Sequence, residues 1–348
     1  MNKEVSQSEL FALLGTSILN ECTIEITNIC PFFCDHCYVE KSVKTKMNFK
    51  QFKQIIDQLL EINCYSILIT GGEPMSNPKF VKMYKYAKTN GMFVNINTNG
   101  YLIDERTIDI LNKYKPNSVE ISLYGYNEET YYNFVHIKNA YSKVLNNIKL
   151  LKHANIKVGL KSVLTKKNYQ YINKIKELAN LLELPFRYDY IIFPKVGVKT
   201  KLNNPELLNE REIIEVIKQD KKDILYFKTA VKEVEKYKSK DNTINQIFQC
   251  SIGKNKIFID CNGNIKLCLV VPIIRNINEY SIKDAIEEMT KDIEAMKISN
   301  NSKCKNCYKR NICRYCPGRF FLETGKYDEA PEFYCNMADA LIKEFKEK

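Results

Sequence analysis

Cys30, Cys34 and Cys37 stand with three and then two residues between them, in the stretch Cys30-Pro-Phe-Phe-Cys34-Asp-His-Cys37. Thiolates are the ligands of iron–sulfur clusters, and so compact a triplet can hold three corners of a 4Fe–4S cube while one iron stays open to a small molecule. Zinc is the competing chemistry. A zinc knuckle wants a fourth ligand close by, and His36 could serve. A second set of thiols lies far downstream: Cys250, Cys268, Cys304, Cys307, Cys313, Cys316 and Cys335. Within it, Cys304-x2-Cys307-x5-Cys313-x2-Cys316 contains two C-x2-C pairs, which taken alone also make a good four-thiolate zinc site.

Further polar residues gather in short turns. Gly71-Gly72-Glu73-Pro74 presents bare backbone and one carboxylate, where a cationic amine can approach closely and bond. Thr98-Asn99-Gly100 and Ser122-Leu123-Tyr124-Gly125 are two more such turns, and their plain reading is strand-end turn chemistry. Lys161, Asn168, Arg187 and Asp189 stand near the ends of later apolar runs; as polar residues they read equally well as solvated or structural.

The elements that must position these residues alternate regularly. Thr23–Thr27 is a β-branched run directly ahead of the cysteine triplet. Helical spacing over 47–63 leads to a strand at Tyr65–Thr70, a helix over 78–90 leads to Met92–Asn97, and a helix over 104–114 leads to Ser118–Leu123. Helices near 140–154 and 169–183 precede strands Ile156–Leu164 and Phe186–Phe193. Six strand–helix alternations predict an α/β fold, a parallel sheet with helices outside it. In such folds chemistry collects at the C-terminal ends of the strands, where the triplet and all three turns fall. Residues 195–247 are Lys-rich and helical in pattern, a bridge, and an amphipathic helix over about 332–346 closes the chain.

Composition narrows the function classes. The 348 residues have 45% hydrophobic and 27% charged content and no apolar run near the ~20 residues a bilayer demands, so no membrane role is expected. The first twenty residues lack the basic and apolar segments of a secretory signal, which points to a cytoplasmic protein. There, thirteen clustered cysteines read as metal ligands rather than disulfides, and the odd total agrees. Cys22 and Cys64 stand apart from the clusters and read as small buried side chains. Net charge of +12 rests mainly on lysine and reads as a solvated surface that would also suit an acidic peptide. No basic block or aromatic–basic motif speaks for nucleic acid.

With C-x3-C-x2-C behind a first strand and Gly-Gly-Glu-Pro behind the second, the chain resembles the radical S-adenosylmethionine (SAM) superfamily, His36 standing where an aromatic residue is common. The resemblance implies a partial (βα)6 TIM barrel over 22–194, after an N-terminal segment 1–21, and a 4Fe–4S cluster on Cys30, Cys34 and Cys37. It places the SAM ammonium at Gly71, Gly72, Glu73 and Pro74, and the methionyl and ribose portions at Thr98, Asn99 and Ser122. The region 248–348 resembles the SPASM domain: Cys250-x12-Gly263-x4-Cys268 fits its pattern, and the last C-x2-C pair is one residue short of it. Carried over, Cys250, Cys268 and Cys316 would hold a first auxiliary 4Fe–4S cluster, and Cys304, Cys307, Cys313 and Cys335 a second. The upstream fourth ligand of the first cluster is missing, so either its iron is open or Cys261 supplies the thiolate.

The implied activity is reductive cleavage of SAM to a 5′-deoxyadenosyl radical that takes hydrogen from a substrate C–H bond. SPASM-bearing members resemble maturases of ribosomally made peptides, forming thioether or carbon–carbon links or inverting α-carbons. Sulfatase maturation and porphyrin side-chain processing are related alternatives. Leu269-Val270-Val271 occupies the place where sulfatase maturases have an aspartate, which counts against the first. A non-catalytic iron–sulfur or zinc protein is the alternative of another class. Implied partners are a peptide or protein substrate and an electron donor such as flavodoxin or ferredoxin. Only 29 residues precede Cys30, too few for a leader-recognition domain, so leader binding is expected to fall to the barrel, to the 195–247 bridge or to a separate leader-recognition protein.

Overall fold

A computed structural model describes residues 19–39, 43–193 and 206–346, so part of the expected bridge and most of the N-terminal segment lie outside the described residues. The alternation read from the sequence is present: β1 (Glu21–Glu25), α1 (Phe49–Glu61), β2 (Ser66–Thr70), α2 (Phe80–Thr89), β3 (Phe93–Thr98), α3 (Glu105–Lys113), β4 (Ser118–Ser122), α4 (Glu128–Val135), α5 (Ala140–His153), β5 (Val158–Val163), α6 (Ile172–Leu181) and β6 (Phe186–Asp189). Each of these strands pairs in parallel with its sequence neighbour, giving a partial barrel.

Strand parity divides the side chains between two environments. Cys22, Ile24, Ile67, Ile69, Val94, Ile96, Val119 and Ile121 are fully buried with the helices' apolar faces in one core. Each buried isoleucine or valine contributes about 1.5–3 kcal/mol. Most of the alternate residues are polar, and Asn97, Ser122, Lys161 and Arg187 line a cavity at the open mouth of the barrel. Helix α4 escaped the sequence reading because it is short. Its start is nonetheless written in the chain, as a capping box in which Asn127 accepts from the Thr130 N–H. The sixth strand ends at Asp189, before the expected Phe193, because the Asp189 carboxylate accepts the Ile191 N–H at 3.0 Å and turns the chain.

Three further strands join the same sheet. β7 (Lys256–Ile259) runs parallel to β1 with Cys22 opposite Ile257 and Ile24 opposite Ile259. β8 (Asn264–Lys266) and β9 (Ile274–Asn276) continue antiparallel, completing the order β6-β5-β4-β3-β2-β1-β7-β8-β9. The β7–β8 turn is closed by Asp260, whose carboxylate accepts from the Asn262 and Asn264 N–H groups, and by Gly263 at a φ of +81°. Helix α9 (Ile282–Ala295) follows, its first N–H donating to Gln58 of α1 at 2.7 Å.

A second core joins helices α7 (Glu210–Lys218) and α8 (Lys221–Tyr237) to α10 (Pro317–Thr324) and α11 (Glu332–Phe345), around Ile213, Val231, Phe320, Tyr334 and Leu341. The bridge helices thus share an interior with the end of the chain. No helix among the described residues is long and apolar enough to cross a membrane.

Candidate functional site

The loop after β1 carries the cysteine triplet and is zipped to the loop after β2. The Gly72 N–H donates to the Thr27 carbonyl at 2.8 Å, and the Glu73 N–H to that of Ile29 at 2.8 Å. Only bare backbone permits this approach. A Cβ on Gly71 would stand 2.2 Å from the Thr27 oxygen, and one on Gly72 would stand 2.6 Å from the Asn28 and Ile29 oxygens.

Cys30, Cys34, Cys37, Gly71, Gly72, Thr98, Asn99 and Ser122 line one cavity of about 320 Å³ at the strand ends. Glu73 and Pro74 are buried behind that wall. The Glu73 carboxylate faces inward, accepting from the Thr98 hydroxyl at 2.8 Å, the Asn99 N–H at 2.7 Å and the Met75 N–H at 3.2 Å. Burial pushes its pKa up to about 7 against those three bonds. It therefore fixes the turn after β3, whose Asn99 amide donates to the Cys30 sulfur at 3.5 Å. The Phe32 N–H approaches the same sulfur at 3.4 Å.

An aromatic wall backs the thiols. Tyr124 stacks on Phe134 with ring centroids 4.3 Å apart, His36 packs 5.1 Å from Tyr124, and Phe32 lies 5.4 Å from Tyr101. Burial drives the Tyr124 hydroxyl well above its usual range, the charges of Cys34, Cys37 and Cys30 add to it, and all four residues line the same cavity. Asp35, between the second and third cysteines, anchors the loop: its carboxylate accepts from Lys167 and pairs with His136 at 3.1 Å.

Of the later candidates, Lys161, Arg187 and Asp189 line the cavity. Arg187 clasps Glu120 through Nε at 2.8 Å, and Lys161 lies 3.8 Å from the same carboxylate. Burial holds the Lys161 amine down at about 8, with Glu120 opposing. Asn168 is turned inward instead, donating to the Tyr124 and Val163 carbonyls as a buried loop brace.

The downstream thiols form two groups. Cys268 lies within electrostatic reach of Cys316 and Cys250, whereas Cys304 and Cys313 lie within reach of Cys307 and Cys335. Cys261 stands elsewhere, against Glu25, Asp260 and the Asn28 backbone. Cys22 and Cys64 are fully buried in the barrel core, as their isolation in the sequence suggests. Among the described residues no group of three or more His, Cys, Asp or Glu side chains is already drawn in around a single metal ion. The donor chemistry of the mouth nevertheless fits a thiolate-held cluster: three half-buried thiols, N–H donors on sulfur, and an apolar wall.

Residues missed from the sequence are Asn97, Glu120 and Asp35. Asn97 and Glu120 were detectable as polar residues on the inward parity of otherwise apolar strands. The bonds of Asp35 span more than a hundred residues and left no local signal.

Comparison with known proteins gives these residues a context. The profile described as the Radical SAM superfamily matches residues 24–182. The AdoMet-dependent heme synthase of Methanosarcina barkeri is 23% identical over 335 residues, 89% of this chain and 94% of that protein. The subtilosin biosynthesis protein AlbA of Bacillus subtilis is 29% identical over 173 residues, 49% of this chain but only 39% of that protein. Among solved structures, Streptococcus suis SuiB superposes with a TM-score of 0.69 at 18% identity, covering 94% of this chain and 79% of SuiB. Native anSMEcpe with bound AdoMet gives 0.71 at 16% identity, covering 93% of this chain and 96% of that one. These structural likenesses establish the shared fold.

Proposed function

Residues 24–182 are a radical SAM domain, and on that premise we propose that the chain is a peptide-modifying radical SAM enzyme with auxiliary clusters. The observation that carries the enzymatic reading is the convergence of Cys30, Cys34, Cys37, the Gly71-Gly72 turn, Asn99 and Ser122 on one cavity. In this reading Cys30, Cys34 and Cys37 hold a 4Fe–4S cluster, and Gly71, Gly72, Thr98, Asn99 and Ser122 hold SAM. When bound, the two supply a reducing electron and a 5′-deoxyadenosyl radical able to take hydrogen from an unactivated C–H bond.

The chain's own residues prepare that chemistry. Asn99 and the Phe32 N–H offset charge on the Cys30 sulfur. Phe32, Tyr101, Tyr124 and Phe134 keep the mouth dry. Lys161 and Arg187 give its far side a cationic edge for a carboxylate-bearing ligand. Cys250, Cys268 and Cys316 would hold one auxiliary cluster, and Cys304, Cys307, Cys313 and Cys335 another.

A peptide substrate is supported by two proteins of the same fold, SuiB bound to its precursor peptide SuiA and anSMEcpe bound to the Kp18Cys peptide. A tetrapyrrole substrate is the second reading, favoured by the heme synthase likeness that runs over 89% of the chain. A one-electron carrier such as flavodoxin or ferredoxin would act as donor.

Anaerobic reconstitution with iron, sulfide, SAM and dithionite tests the assignment. The protein should release 5′-deoxyadenosine, and Cys30→Ala should abolish it; a parent protein that binds only zinc and releases none would end the reading. Deuterium transfer into 5′-deoxyadenosine from labelled peptide, against labelled tetrapyrrole, decides between the substrates.

A further inference from the structure

We propose that Arg319 is the cation that balances the charge carried by the Cys250, Cys268 and Cys316 group, and that its N–H donors hold that group's reduction potential up. The inference rests on the reading of those thiols as ligands of an iron–sulfur cluster.

Arg319 lies in the first turn of α10, whose N-cap is Cys316. Its guanidinium stands beside the Cys316 sulfur and the Tyr334 hydroxyl, and its charge reaches Cys268. Two of its donors, Nε and Nη1, are buried without a hydrogen-bond partner. Glu323, one turn along the same helix, feels the Arg319 charge, but its carboxylate is hydrogen-bonded by the Tyr334 hydroxyl at 2.9 Å and fills neither of those two donors. A guanidinium held out of water with unfilled donors is costly unless an anion meets it. A cluster on the three neighbouring thiolates is such an anion.

Placement adds a second argument. The guanidinium lies 5.1 Å from the centroid of the Phe193 ring and 5.7 Å from that of Tyr334. Phe193 also lines the barrel cavity. Phe193 therefore stands between that cavity and the guanidinium, which keeps Arg319 on the side of the first auxiliary thiols. The other thiol group offers a contrast, because its nearby cations are engaged elsewhere: Lys309 is paired with Asp339 at 2.7 Å, and the Arg310 guanidinium donates to the Cys304 and Lys305 carbonyls rather than to a sulfur. Reduction adds negative charge, so an adjacent buried cation with N–H donors favours the reduced form and raises the potential. That effect should fall on one auxiliary group and spare the other.

The test uses the full chain carrying Cys30→Ala, Cys34→Ala and Cys37→Ala, so that only auxiliary clusters contribute to the spectra. After anaerobic reconstitution, iron is counted and the potentials are read by EPR-monitored titration. Arg319→Gln should move one couple to lower potential, leave the other in place and keep the iron content. Arg319→Lys, which retains the charge but not the fork of donors, should move the same couple by less. Unmoved potentials in Arg319→Gln with iron retained would overturn the proposal. Should Arg319→Gln not fold, an unmoved couple in Arg319→Lys would do the same. A parent chain that takes up no iron on its auxiliary thiols would instead overturn the cluster reading, and this inference with it.

Discussion

Glu73 accepts the backbone N–H of Asn99 at 2.7 Å from a position with no exposure to solvent. One carboxylate thereby joins the loop after β2 to the loop after β3, and the second loop delivers an amide to Cys30. The glutamate of the Gly-Gly-Glu-Pro turn acts here as an internal brace for the residues that line the cavity.

Glu73→Gln should change how stability depends on pH. Burial raises the Glu73 carboxyl from 4.5 to about 7, ahead of the opposing bonds from Asn99, Thr98 and Met75. A folded-state pKa above the unfolded one means that its contribution is fully present below about 4.5 and is lost as pH rises through about 7. The glutamine variant should lose that portion of the slope, while Glu25, likewise raised to about 7, keeps its own. Because one amide oxygen cannot serve every donor, the variant should also be weaker at pH 5 by roughly 1–2 kcal/mol. Urea unfolding between pH 4.5 and 8 measures both; an unaltered slope would refute the argument.

Gly72→Ala should destabilise the protein by about 1–3 kcal/mol, since its methyl group meets backbone oxygens rather than a yielding side chain. Gly159→Ala is the control. Its Cβ would find nothing nearer than 3.8 Å, so its melting temperature should stay close to that of the parent. Equal losses in the two variants would show that the closeness of the two loops is not what matters.

Asn99→Ala removes a donor from the Cys30 sulfur without touching a thiol. The rate of 5′-deoxyadenosine release should fall about 10–100-fold with the iron content kept, the usual effect of losing a group that orients a metal ligand. Single-turnover assays on the reconstituted protein read this directly, and a parental rate would dismiss the bond as incidental.

Asp35→Asn separates loop anchoring from global stability. The Asp35 pair with His136 is well exposed, so unfolding free energy should change by only about 0–1 kcal/mol. The loop between Cys34 and Cys37 would lose its tie to Lys167, and iron should leave the protein faster under chelator. Burial is the largest single influence and opposes ionisation, but the bonds and charges of Lys167 and His136 together keep the Asp35 carboxyl below its usual range, so acid should speed iron loss in the parent more than in the variant. Equal chelation rates would contradict the tether.

What could be read from the chain followed from local repetition. Strands such as Val94/Ile96 and Val119/Ile121 declare themselves by parity, and helices such as α1 by apolar residues at helical spacing. Gly71, Asn99 and Ser122 were legible as candidates because they end strands of one parallel sheet. Two things were not. The inward turn of Glu73 depends on donors about twenty-five residues away, which no window around the turn contains. The addition of β7 to β1 matches four residues with a partner more than two hundred positions earlier, and Lys256-Ile-Phe-Ile259 is too short to announce a neighbour.

That pairing has a consequence for how the protein is made. During synthesis β1 emerges early and can pair with β2, yet its other margin stays open until β7 leaves the ribosome. For that interval the strand beside the cysteine triplet is an unprotected template on which another nascent chain could pair. Chains released before residue 256 should therefore accumulate as aggregates, and insertion of metal at the triplet should follow translation rather than accompany it.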